Sequence, residues 1–207
     1  MSVRELTPLL RPQKLEPATA KALVSTLKES KPRALADGKR IIRAYGFKAF
    51  LGGHFVAVTE LKQRWEYGLG DYSMETIQAL RAKYIGDFEE ILSKLETAVI
   101  PRDEARNRVK ILAQMLVWAS YNEGKLSTYR QRNEGKVGES STFAAQFFVP
   151  PEFKFHVVWV TQGDERVCER CLGNDGKIFP LYGPLVQIPL HPLCRCEWSY
   201  EEVARLR

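Results

Sequence analysis

"RVCERCLGNDGKIFPLYGPLVQIPLHPLCRC", residues 166–196, holds all four cysteines of the chain and one of its three histidines. Cys168 and Cys171 have the C-x-x-C spacing with which one tight turn delivers two soft ligands to a tetrahedral metal. Gly173 and Gly176 follow where such a knuckle turns back, and "NDGKIF" (174–179) reads as a turn into a short strand. Nineteen residues separate Cys171 from His191. Then "HPLCRC" (191–196) brings His191, Cys194 and Cys196 close together. Two ligand pairs around a hairpin-sized loop predict a structural zinc knuckle holding one Zn2+. Five donors compete for four places. The preferred second pair is His191 with one of Cys194 or Cys196; a four-cysteine site with His191 behind it is the alternative. The spacing leaves that choice open.

Other chemistries for the same cysteines fit less well. A redox C-x-x-C needs a strand-to-helix setting, and here a Gly-rich turn follows. A catalytic zinc needs an open position and a general base. Glu165 and Asp175 are near in sequence, but no H-E-x-x-H or H-x-E pattern accompanies them. An HNH-type nuclease needs a further histidine pair, which is absent. No phosphate-loop, nucleophile-elbow or dinucleotide-binding motif occurs, and "GLGDYS" (68–73) is too short to count as one. His54, after a Gly-Gly, and His156, on a predicted strand, read as structural histidines. No catalytic residue and no organic cofactor are predicted, and the chain is not expected to be an enzyme.

The 207 residues are 44% hydrophobic and 27% charged, which is globular composition and argues against wholesale disorder. No apolar run approaches the roughly 18 residues of a membrane span. "MSVRELTPLLRPQKLEP" (1–17) lacks the apolar region of a secretory signal, so synthesis and retention in a cytoplasm are expected. Disulfides are rare there, which leaves metal or redox roles for the thiols. The net charge of +6 is uneven: residues 1–65 carry thirteen Lys/Arg against five Asp/Glu. Such a basic third suits nucleic acid or an acidic protein surface.

Periodicity gives the organisation. Residues 1–16 read as an extended arm. Pro17 is expected to open a helix carrying Ala20, Leu23, Val24 and Leu27, with Pro32 ending it. A second helix is expected through "RALADGKRIIRAYGFKAF" (33–50), broken at Gly52–Gly53. Residues 55–73 are ambiguous between strand and helix. A third helix follows, with Ser73 or Thr76 as cap and a stripe of Ile77, Leu80, Tyr84, Phe88, Ile91, Leu92 and Leu95. After Pro101, Asp103 is expected to cap a long helix bearing Val109, Leu112, Met115, Leu116, Ala119 and Leu126, with Trp118 and Tyr121 in its core. "FKFHVVWVT" (153–161) alternates as a strand, and "WSYEEVARLR" (198–207) reads as a short polar helix or a disordered end. The fold class is therefore α+β: a mainly helical body with a basic arm at 1–132, a loop at 133–152, and a small β-rich zinc module at 153–207.

"WVTQGDERVCERCLGNDGKIF" followed by "IPLHPLCRCEW" resembles the C-terminal signature of the phage head morphogenesis proteins, the Mu F-like minor head proteins. The matching residues are Trp159, Thr161, Asp164, Val167, Cys168, Cys171, Asp175, Gly176, Lys177 and Phe179, then Pro189, His191, Pro192, Cys194, Arg195 and Cys196. The match covers some 40 residues, and the Arg-Thr-Glu triplet usual in the family's preceding helix is missing. The resemblance implies a minor component of the virion, in the head and neck region. It implies contact with the portal or the major capsid protein, self-association, and a part in head assembly, DNA packaging or ejection. No toxin or transferase domain is expected after the motif, and no membrane partner. Contact with packaged DNA through residues 1–65 is a further expectation. The alternative is a cytoplasmic zinc-containing DNA-binding protein or nuclease accessory.

Overall fold

Prolines begin helices in this chain more often than they end them. The computed structural model describes residues 7–61, 71–133, 155–181 and 185–202. A 3-10 turn, Thr7–Leu10, leads into helix α1, Pro12–Thr26. Pro12 takes the first helical position, where its missing N–H costs nothing. Pro17 therefore lies inside α1, not at its start. Helix α2, Lys31–Glu60, likewise carries Pro32 in its first turn, so Pro32 opens this helix and does not close the last one. Helix α3 is Asp71–Glu96, beginning ahead of both Ser73 and Thr76. Helix α4 is Arg102–Asn133, so Asp103 sits within its first turn and pairs with Arg106 at 2.8 Å instead of capping the helix.

Helix α2 runs straight through Gly52 and Gly53, which were expected to break it. The reason is close packing. A Cβ on Gly53 would lie 1.9 Å from the Tyr121 carbonyl oxygen, and one on Gly124 would lie 2.1 Å from that of Phe50. The backbones of α2 and α4 touch where these two glycines cross. Glycine in a helix costs about 1 kcal/mol relative to alanine; here it permits a contact that no side chain allows. Residues 55–60 of the ambiguous stretch are helical, and 62–70 lie outside the described residues.

Helix α4 is the axis of the fold. It packs against α1, α2, α3 and strand β3 (Glu197–Glu202). Covered on nearly every side from Leu112 onward, it buries Gln114, Ser120, Asn122, Lys125, Ser127, Thr128 and Gln131 beside Leu112, Leu116 and Trp118. The largest core joins the expected stripe of α3, including Tyr84, Phe88 and Leu92, to Leu23, Ile42, Val109 and Leu116.

Most of the expected loop, residues 134–152, lies outside the described residues. Strand β1, Phe155–Val160, is followed by a one-turn helix α5, Glu169–Leu172, strand β2, Ile178–Pro180, and β3. The sheet is antiparallel in the order β2-β1-β3, pairing Val157 with Phe179 and Tyr200, and Trp159 with Trp198. The expected helical or disordered tail is thus an edge strand through residue 202, because Trp198 turns inward while Glu197 and Ser199 alternate with it. Trp198 meets Trp159 and Phe179 edge-on, at centroid distances of 5.5 and 5.4 Å. This module does not close a core alone. Its Trp159, Leu181, Ile188, Cys171, Cys194 and Cys196 share one cluster with Ala57, Leu126 and Tyr129 of the helices. The architecture is α+β, and no helix among the described residues is long and apolar enough to cross a membrane.

Candidate metal centre

Cys168 is the N-cap of α5. Its backbone is extended, and its sulfur accepts the Cys171 N–H at 3.4 Å. The C-x-x-C motif therefore carries one helical turn of its own before the expected glycine turn begins. That turn is held to β1 from both sides: Gly176 N–H donates to Trp159 O at 2.9 Å, and Trp159 N–H donates to Lys177 O at 3.0 Å. Gly176 adopts φ of 72°, the left-handed region that glycine enters without penalty.

The second ligand group follows the cis Ile188–Pro189 bond. Cys194 N–H closes a turn onto His191 O at 3.1 Å. His191 Nδ1 lies 2.6 Å from the Pro192 carbonyl, which makes Nδ1 the donor and leaves the Nε2 lone pair free. Nε2 points at the sulfurs of Cys168 and Cys171, 3.0 and 3.1 Å away. Cys171 Sγ is also 3.8 Å from Cys194 Sγ. Two sulfurs each about 2.3 Å from one tetrahedral ion stand about that far apart. Two trios of donor atoms result, Cys168–Cys171–His191 and Cys171–Cys194–Cys196, each within 4.8 Å internally. All five residues singled out in the sequence come together, and Cys171 belongs to both trios.

The donors suit a soft or borderline metal. Cys171, Cys194 and Cys196 are buried, Cys168 and His191 half-buried, and no disulfide joins the four thiols. The five side chains line a cavity of about 10 Å³, the size of a single small guest. Burial pushes the Cys171 thiol up to about 12. The Cys196 thiol donates to Cys194, which holds Cys194 well below the ordinary thiol range and raises Cys196 in turn. Cys171 and Cys196 therefore keep their protons until a cation displaces them, while Cys194 is ready to bind as a thiolate. Thiolates and an imidazole without a carboxylate disfavour calcium and magnesium.

Neighbouring residues lock the site. Arg195, between two of the donors, makes a bidentate pair with Asp164 at 2.7 and 2.5 Å, tying the loop after β1 to the second ligand group. Asp175 accepts the Thr161 N–H at 2.8 Å. Glu165 is exposed. His54 is buried, its Nδ1 2.8 Å from Thr128 Oγ1, and burial lowers its pKa to about 4.

Three residues that the sequence did not mark fasten the centre to the helices. The Asn122 amide donates to Cys196 O at 3.2 Å and accepts the Trp198 N–H at 2.8 Å, gripping the backbone on either side of Glu197. Lys125, 1% exposed at its side chain, is 2.8 Å from Glu60 and 3.3 Å from Glu197. Tyr129 donates its hydroxyl to Glu60 and packs its ring against Tyr200 of β3, the centroids 5.7 Å apart. The only hint in the sequence is that "WASYNEGKLSTY" (118–129) carries few charges for a surface helix.

No family model, curated protein or solved structure matches this chain.

Proposed function

We propose that the metal is a single structural zinc ion and that the chain is a virion assembly component of the phage head morphogenesis type. In this reading it works through protein contacts, with the portal or the major capsid protein as neighbours, and is not an enzyme. Zinc would be held by four of Cys168, Cys171, His191, Cys194 and Cys196. It would supply folding energy to a module that has little core of its own.

The observation that carries this reading is how the residues of the resembling segment are used. Trp159 fills the core, Thr161 and Asp175 pin a loop, and Asp164 and Arg195 strap the ligand groups together. Gly176 makes the turn, Lys177 donates to Asn174, and Phe179 meets Trp198 edge-on. The shared residues are spent on building a rigid knob, as an assembly part needs and a catalytic site does not.

The test is a peptide-level mass-spectrometric inventory of purified, nuclease-washed phage particles, calibrated against the major capsid protein. A few to a few tens of copies per particle is the expected result. Finding the chain only in the infected lysate would overturn the virion reading.

A further inference from the structure

Four cations from two parts of the chain converge on one groove. Lys21 lies in α1, and Lys28 follows in the turn two residues after that helix ends at Thr26. Arg102 and Arg106, four apart, share a face at the start of α4. The four side chains line a cavity of about 400 Å³, whose remaining walls are Val24, Ser25 and Leu27. Arg106 pairs with the exposed Asp103. Among the described residues, Lys21, Lys28 and Arg102 pair with no carboxylate. Lys31 and Arg40, by contrast, pair with Glu96 and Asp37. Here several unmatched positive charges surround a hollow with no acid in its lining.

The charge selects the partner. The groove is too large for one phosphate. Four separate cations around one opening suit a run of phosphates, each of which takes one lysine or arginine. We propose that this groove is a sequence-independent contact for the phosphate backbone of nucleic acid. Two of its four cations come from α4, so the contact is not confined to the basic first third of the chain. The inference stands apart from the virion reading: an internal head component and a cytoplasmic DNA-binding protein would use the groove alike.

The experiment is fluorescence anisotropy of the full-length, metal-loaded protein with a labelled duplex of about 20 bp, titrated between about 50 and 200 mM salt. Log affinity should fall linearly with log salt, and scrambling the duplex sequence should change nothing. Lys21→Ala/Lys28→Ala should flatten that slope by about 1.8, about 0.9 for each lost phosphate contact, and weaken binding by about tenfold or more. Lys48→Ala/Lys83→Ala, which removes two exposed cations elsewhere, should keep the wild-type slope. Equal slopes in the groove variant and the wild type would overturn the proposal, as would failure of the wild type to bind at 50 mM salt. Polyglutamate competing as well as DNA at equal charge would also overturn it, in favour of an acidic protein surface.

Discussion

Asn122 is a single amide on which the attachment of the metal module turns. In Asn122→Ala the buried Trp198 N–H and Cys196 C=O both lose their side-chain partner. Asn122 is 2% exposed and Trp198 1%, so water cannot replace the amide without opening the interface. A buried backbone group left without a partner costs about 1–3 kcal/mol. Two such groups, one of them also a carbonyl with a second lone pair to satisfy, give about 3 kcal/mol. In a protein of this size that lowers Tm by about 6–12 °C. The affected carbonyl belongs to Cys196, so the loss should reach the metal as well. Partners that orient metal ligands are worth about tenfold or more in affinity. The assay is urea unfolding of the metal-loaded protein, paired with zinc retention against a chromophoric chelator. A stability loss below about 1 kcal/mol with unchanged zinc retention would refute the reasoning. It would mean that the module is held by its apolar cluster alone.

Cys171→Ser should abolish stoichiometric metal binding, because Cys171 belongs to both donor trios, whereas Cys196→Ser should retain part of it; equal metal-to-protein ratios in the two variants by elemental analysis would show that the trios are not separate. His54 titrates near 4 when folded against 6.5 when free. Between those values only the unfolded chain binds the proton, so stability falls as pH drops through this window, by up to about 3 kcal/mol. His54→Gln should remove that part of the slope, and identical pH–stability slopes would exclude it. Gly53→Ala, whose Cβ would strike the Tyr121 carbonyl, should cost about 3 kcal/mol or more. Gly86→Ala, which meets nothing within 4 Å, should stabilise by about 0.5–1 kcal/mol; a neutral or stabilising Gly53→Ala in thermal melts would contradict the close crossing.

The Cys/His cluster was legible in the sequence because its geometry is local. C-x-x-C and H-P-x-C-R-C are each closed by one turn, and turn chemistry is a short-range property. The stripe of α3 was legible for the same reason: one face is apolar and the other is not. What failed was punctuation. Gly52–Gly53 and Pro32 read as stops in the sequence, yet glycine also serves where two helices touch and proline where one begins. The end strand was missed although Trp198 and Tyr200 alternate with Glu197, Ser199 and Glu201; over so few residues the period of 2 competes with polar composition. Asn122, Lys125 and Glu60 were invisible for a deeper reason. Asn122 meets its partners in the module 74 and 76 residues away in the chain, and Lys125 bridges 65 and 72 residues to its two carboxylates. In sequence, a lysine and an asparagine on a helix look like a solvated face. Only a helix covered on every side turns them into interior residues.

The shared cluster of Leu126, Tyr129 and the metal module also has a consequence in time. During synthesis α4 leaves the ribosome about 70 residues before β3 does, an interval of roughly 3–14 s at ordinary elongation rates. Throughout it Leu126, Tyr129, Asn122 and Lys125 lack the cover of the module, although Glu60 of α2 can already pair with Lys125 and Tyr129, and a metal held by the cluster would have only part of its ligand set. The nascent helical body is therefore most exposed to misassociation just before its last strand arrives. Scarcity of metal would lengthen that interval without altering a single residue.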